Sequence, residues 1–158
     1  MMTSGTSPGF IQRKLWLPLL GQLKQGISPE KLASSVAWAG VLGIFPILGA
    51  TTGLCLIVGQ WKKLNQVALQ TINYLITPLH LLLIPIFIKI GEKFFGLNSV
   101  TFDPRILVPE FFASPGVFFQ RYGASALSGI SVWAIVAYPL YRLLFSLFSV
   151  FLKKRTSP

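Results

Sequence analysis

The sequence predicts an all-α integral membrane protein: an interfacial N-terminal helix, two Gly/Pro-broken re-entrant helical hairpins and a C-terminal transmembrane helix region. Hydrophobic residues make up 53% of the 158 positions and charged residues 11%, against about 25% charged in an average soluble domain; mean hydropathy is +0.65. Uncharged runs extend from Leu32 to Gln60 and from Leu64 to Ile88. Each is interrupted near its middle, the first by Gly43, Pro46 and Gly49, the second by Pro78. Proline lacks the donor N–H, and glycine costs about 1 kcal/mol relative to alanine inside a helix.

Fourteen Lys and Arg face four acids, with a pI near 10.2. A nucleic-acid footprint would be a contiguous basic stripe. Here Lys31, Lys62, Lys63, Lys89, Lys93 and the Lys153 to Arg155 cluster flank apolar runs, as membrane-edge anchors do, so no nucleic-acid partner is expected. The single cysteine, Cys55, lies inside an apolar run, which excludes an intrachain disulfide and a thiolate metal cluster.

Residues 1–9 are rich in Ser, Thr, Gly and Pro and read as a disordered tail. From Phe10 to Gln25, Ile11, Leu15, Leu19 and Leu23 recur every four residues, with Arg13, Lys14 and Lys24 elsewhere on the wheel. That pattern is an amphipathic helix too short to span, lying in the interface or equally on the protein's own surface. Pro18 interrupts its apolar run and no small-residue cleavage site follows, so it is expected to remain in the protein.

Ser28, Pro29 and Glu30 supply a capping hydroxyl, a proline for the first helical position and an acid at the positive end of a helix. Residues 29–61 then form the first broken hairpin, with small faces at Ala33, Ala37 and Gly40 and a GxxxG pair at Gly49 and Gly53. As one helix, the 29 residues from Leu32 to Gln60, none of them charged, would measure roughly 44 Å against a hydrocarbon core of about 30 Å. Each half, at roughly 21 Å, is too short to cross. A re-entrant hairpin fits both lengths, with a tilted, proline-kinked span as the alternative.

Residues 64–95 repeat the plan: Gln66, Gln70, Thr71 and Asn73 carry polar groups to depth, Thr77-Pro78 breaks the helix, and Pro85 follows. Corresponding broken segments point to transporter binding sites. If both blocks return to the side they left, the basic flanks at Lys31, Lys62, Lys63, Lys89 and Lys93 share one side, as the positive-inside rule asks. Residues 97–121 read as a polar loop, with a turn at Asp103-Pro104, and an aromatic segment (Phe111, Phe112, Phe118, Phe119) at headgroup depth. Residues 122–152 form the transmembrane region, interrupted by Pro139, and 153–158 a basic tail.

One His, one Cys and four acids offer no set of metal ligands, and neither a nucleophile elbow nor a phosphate-binding glycine loop occurs. No enzyme activity and no cofactor are expected. Intramembrane polar groups are the better lead, because lipid penalises them unless they are partnered. Arg142 either meets an anionic headgroup or Glu92, or snorkels to the interface. His80 either carries a proton or touches phosphate, or is simply hydrogen-bonded. Asn73, Thr77, Thr51 and Thr52 either line a polar path between the hairpins or bond across helices. The breaks at Gly43, Pro46, Gly49 and Pro78 would offer half-helix ends to an anion.

The elements SPEKLA (Ser28 to Ala33), GVLGIFPILGATTG (Gly40 to Gly53) and the pattern Gln70, Asn73, Leu75, Thr77, Pro78, Leu79 resemble the bacterial membrane family catalogued as domain of unknown function 2062, over roughly Gln25 to Leu152. That family is distantly similar to the DedA-like (VTT-domain) membrane proteins. The resemblance implies two re-entrant hairpins, a bacterial inner membrane, and the movement of lipids that include polyprenyl-phosphate carriers. One departure matters. DedA-like hairpins carry acidic residues beside the Gly-Pro break, and Gly43 to Gly53 has none, so this break is expected to act through backbone geometry and packing. The expected function is binding or translocating an anionic lipid. The alternative is a non-transporting accessory protein that packs against itself or another membrane protein, such as a glycosyltransferase.

Overall fold

The computed structural model describes residues 27–101 and 103–156. The expected tail (1–9) and interfacial helix (10–25) lie outside the described residues. Five helices follow in order: α1 (Pro29–Leu42), α2 (Ala50–Trp61), α3 (Gln66–Phe95), α4 (Pro104–Ala113) and α5 (Pro115–Thr156). No strand occurs among the described residues.

The start of α1 follows from its first residues: the Ser28 hydroxyl accepts the Lys31 N–H at 3.3 Å, and Pro29 occupies the first turn. The helix ends where Gly43 donates to the Ala39 carbonyl at 2.8 Å. Gly49, at φ +80°, then takes the left-handed conformation that opens α2. At the far end of α2, Lys63 donates to the Gln60 carbonyl and Leu64 to that of Gly59, the Schellman pattern. Its left-handed position is occupied by Lys63 at φ 51°, where glycine is usual and another residue costs roughly 1 to 2 kcal/mol. The chain thus turns back on itself, and Ser35 of α1 fixes the return by accepting the Asn65 N–H at 2.8 Å.

The second block behaves differently from the sequence expectation. Residues 66–95 form one helix with Pro78 and Pro85 inside it, so the hairpin expected to break at Thr77-Pro78 does not form. No glycine accompanies Pro78 or Pro85, and each proline removes only one helical donor. Thr77 turns its hydroxyl back onto the Asn73 carbonyl at 3.2 Å. Lys62 and Lys93 therefore lie at opposite ends of α3.

The expected loop and aromatic segment is also largely helical. Asp103 caps α4 by accepting the Arg105 N–H at 2.9 Å, and α5 begins at Pro115 and continues through Pro139 to Thr156. Lys153 and Lys154, expected in a tail, instead lie near the C-terminal end of α5, where cations complement the helix dipole.

Contacts fix the arrangement. Glu30 pairs with Lys153, Ser34 meets Tyr141 and Val41 meets Trp133, so α1 runs antiparallel to α5. At the other end Gly91 of α3 lies against the Ser128 backbone and Gly129 against Ile88, close enough that a Cβ on either glycine would collide. The central element is α1, whose Leu32, Ala33, Val36, Ala37 and Ala39 are all buried among α2, α3 and α5. Gly40 completes its small face against Leu144.

Length separates the elements into two kinds. The 30 residues of α3 and the 42 of α5 extend about 45 and 63 Å. The 14 and 12 residues of α1 and α2 reach only about 21 and 18 Å. Both α3 and α5 are long and apolar enough to cross a membrane, and only 28% and 6% of their most apolar 18-residue windows are buried. A helix in a soluble core would be mostly enclosed. Here Tyr74, Leu82, Ile135 and Leu147 face outward.

Candidate functional site

The turn between α1 and α2 frees backbone carbonyls that must find donors, because a buried carbonyl without one costs about 1 to 3 kcal/mol. Both long helices supply them. Trp133 of α5 donates its indole N–H to the Val41 carbonyl at 2.9 Å. The His80 Nε2–H of α3 donates to the Phe45 carbonyl at 2.7 Å; since a carbonyl can only accept, this bond fixes the histidine's proton on Nε2. Phe45 adds an edge-to-face contact with Trp133, their centroids 4.9 Å apart, and Pro46 is buried beside it. His80 lies at the midpoint of α3, so the tip of the half-length hairpin is clamped at mid-length between the two long helices. Of its two sequence readings, hydrogen bonding is the one seen.

Below the tip, α2 and α3 meet along a row of amides. Gln66, Gln70 and Asn73 are spaced to share one face of α3. Gln66 Nε2 donates to the Leu56 carbonyl at 3.1 Å, Gln70 Nε2 to the Thr52 carbonyl at 3.4 Å, and Asn73 Nδ2 to the Thr52 hydroxyl at 3.4 Å. The amide oxygens of all three are buried without a partner. Each retains acceptor capacity that a bridging water or a donor on a ligand would satisfy. Thr51 is buried at the start of α2. The structure therefore joins Thr52 to Asn73, which lies beside Gly43, and joins His80 to the turn at Phe45. Pro78 and Thr77 lie on the exposed side of α3.

Arg142 is not part of this group. It is exposed on α5, one residue beyond Tyr141, and no carboxylate lies within ion-pair range of it among the described residues. Glu92 cannot be its partner: Glu92 follows Gly91, which contacts Ser128, and Ser128 is about 21 Å along α5 from Arg142. Instead Glu92, 2% exposed, accepts the Val100 N–H at 3.2 Å through Oε1 while its Oε2 has no partner. It ties the chain beyond α3 back onto the helix end.

Sequence reasoning did not single out Trp133, Tyr141 or Ser35, which hold α1 in place. The Gln66, Gln70, Asn73 spacing was the available signal for the seam. The assembled architecture is an all-helical chain with two helices long and apolar enough to cross a membrane and a broken hairpin of half their length. No family model matches the chain, and neither the curated proteins nor the solved structures contain a match.

Proposed function

We propose that this is a bacterial inner-membrane protein that binds an anionic lipid, such as a polyprenyl-phosphate carrier, and moves its headgroup into the bilayer along the α2–α3 seam. One observation carries the reading: a half-length hairpin ends at the middle of a bilayer-length helix, and the seam beneath it is lined by amides with unused acceptors. In a membrane the hairpin would be re-entrant, both its ends returning to the side where Lys31, Lys62 and Lys63 lie. Unused acceptors at depth favour water, and a phosphate group leaving the interface needs a hydrated route. The likeness of Ser28 to Ala33 and Gly40 to Gly53 to the family named above supports the same class of substrate.

The test is translocation of a fluorescent anionic lipid in proteoliposomes of the full chain. Wild type should exceed protein-free vesicles, and Gln70→Leu with Asn73→Leu should slow transfer by about tenfold, the equivalent of roughly 1.4 kcal/mol. Wild-type transfer no faster than protein-free vesicles would overturn transport and leave the accessory role, to be sought as a co-purifying membrane partner.

A further inference from the structure

Where the hairpin begins and ends, a groove of about 490 Å³ opens between Lys31 and Ser34 of α1, Lys62 and Lys63 after α2, and Tyr141 and Phe145 of α5. We propose that this groove is the docking site for the phosphate headgroup of an amphiphile at the membrane surface. The proposal rests on the anionic-lipid reading above and gives it a place.

Three features separate the groove from a generic basic flank. Lys62 is held in position, its ammonium 5.0 Å from the ring centroids of both Trp38 and Trp61. Lys63 occupies the only left-handed non-glycine position among the described residues. That position carries a lysine side chain to the lining of the groove, where glycine, the usual residue, would bring none. Third, the Ser34 and Tyr141 hydroxyls lie 3.2 Å apart and both line the groove. Two hydroxyls carry two protons and their mutual bond uses one, which leaves one O–H to donate to a guest.

The groove's one carboxylate, Glu30, is already paired with Lys153 at 3.1 Å, so it does not cancel the three lysines. The N-terminus of α1 contributes little: Pro29 has no N–H, and those of Lys31 and Leu32 are taken by Ser28. Leu64 and Phe145 give the groove an apolar wall, and Trp61 lies exposed beside it. Indole rings of this kind sit at headgroup level. An apolar wall beside a basic floor suits a lipid better than a free anion.

The experiment measures binding of fluorescent phosphatidic acid and of phosphatidylcholine to the full chain in detergent, with inorganic phosphate as competitor and thermal stability read in parallel. Wild type should prefer phosphatidic acid. Lys63→Gly should weaken that binding about fivefold with melting temperature unchanged or raised, Tyr141→Phe should also weaken it, and Lys89→Gln, at the far end of α3, should leave it unchanged. Selective wild-type binding unaffected by Lys63→Gly and Tyr141→Phe would overturn the groove while leaving the anionic-lipid reading intact. No preference for phosphatidic acid over phosphatidylcholine would remove both. Inorganic phosphate that competes as tightly as the lipid binds would overturn the lipid as occupant in favour of a free anion.

Discussion

Residues 29–61 and 64–95 look alike in sequence, each an apolar block with a proline near its centre, yet one folds into two short helices and the other into a single long one. The difference lies in what accompanies the proline. Pro46 is bracketed by Gly43, which ends α1, and by Gly49, whose positive φ redirects the chain. Pro78 and Pro85 have no such neighbours, and the cost of their two missing donors is spread over a 30-residue helix packed on α1 and α5. A proline interrupts a helix locally; reversing the chain needs a residue free to leave the right-handed region.

The largest effect that can break this comparison is topological. Single cysteines at positions 31, 62 and 93, in a Cys55→Ser background, should label with a membrane-impermeant reagent from one face at 31 and 62 and from the opposite face at 93. Labelling of all three from one face would make the second block a hairpin as well. Next is the clamp on the turn. His80→Leu strips the Phe45 carbonyl of its side-chain donor but leaves it the Ile47 N–H at 2.8 Å, so the loss should cost about 0.5 to 1.5 kcal/mol, read as a fall in melting temperature in detergent. Pro78→Ala restores a helical donor, so it should hold or raise that temperature. A fall comparable to that of His80→Leu would show that Pro78 shapes α3 after all.

Two further effects sharpen the picture. Gly49→Ala places a Cβ in the left-handed region and should cost roughly 1 to 2 kcal/mol. Gly53→Ala, inside α2 with nothing within 4 Å of the added Cβ, should stabilise by about 0.5 to 1 kcal/mol. The smallest effect is at the hairpin's base, where Glu30 is held below its ordinary value of 4.5, first by its own backbone amide and then by Lys153. A lowered carboxyl stabilises the fold above the unfolded pKa and loses that contribution as pH falls through the folded one. The stability difference between wild type and Glu30→Gln should therefore be steady above about pH 5 and shrink with further acidification.

Much of α1 and its turn was legible in the sequence, because Ser28-Pro29-Glu30 and Gly43, Pro46 and Gly49 act through local backbone chemistry. The continuity of α3 was not, because tertiary packing overrides prolines that no glycine accompanies. Nor was α4, where Asp103-Pro104 reads as a turn although it caps and starts a helix. Of the candidate site residues, Asn73 and Thr52 touch and His80 reaches the turn at Phe45. Arg142 was named for its charge alone, and charge carries no information about which face of a long helix it occupies. Trp133 and Tyr141 escaped notice because their partners lie 92 and 107 residues away.

That separation has a consequence for how the molecule is made. The Val41 carbonyl and the Ser34 hydroxyl find their partners only on α5, the last helix described. At about 5 to 20 residues per second of synthesis, the completed hairpin waits roughly 4 to 14 s before Trp133 exists. During that interval its most buried face has no lid from α5, and a chaperone or insertase must shelter it, or the hairpin must stay at the surface until the final helix draws it in.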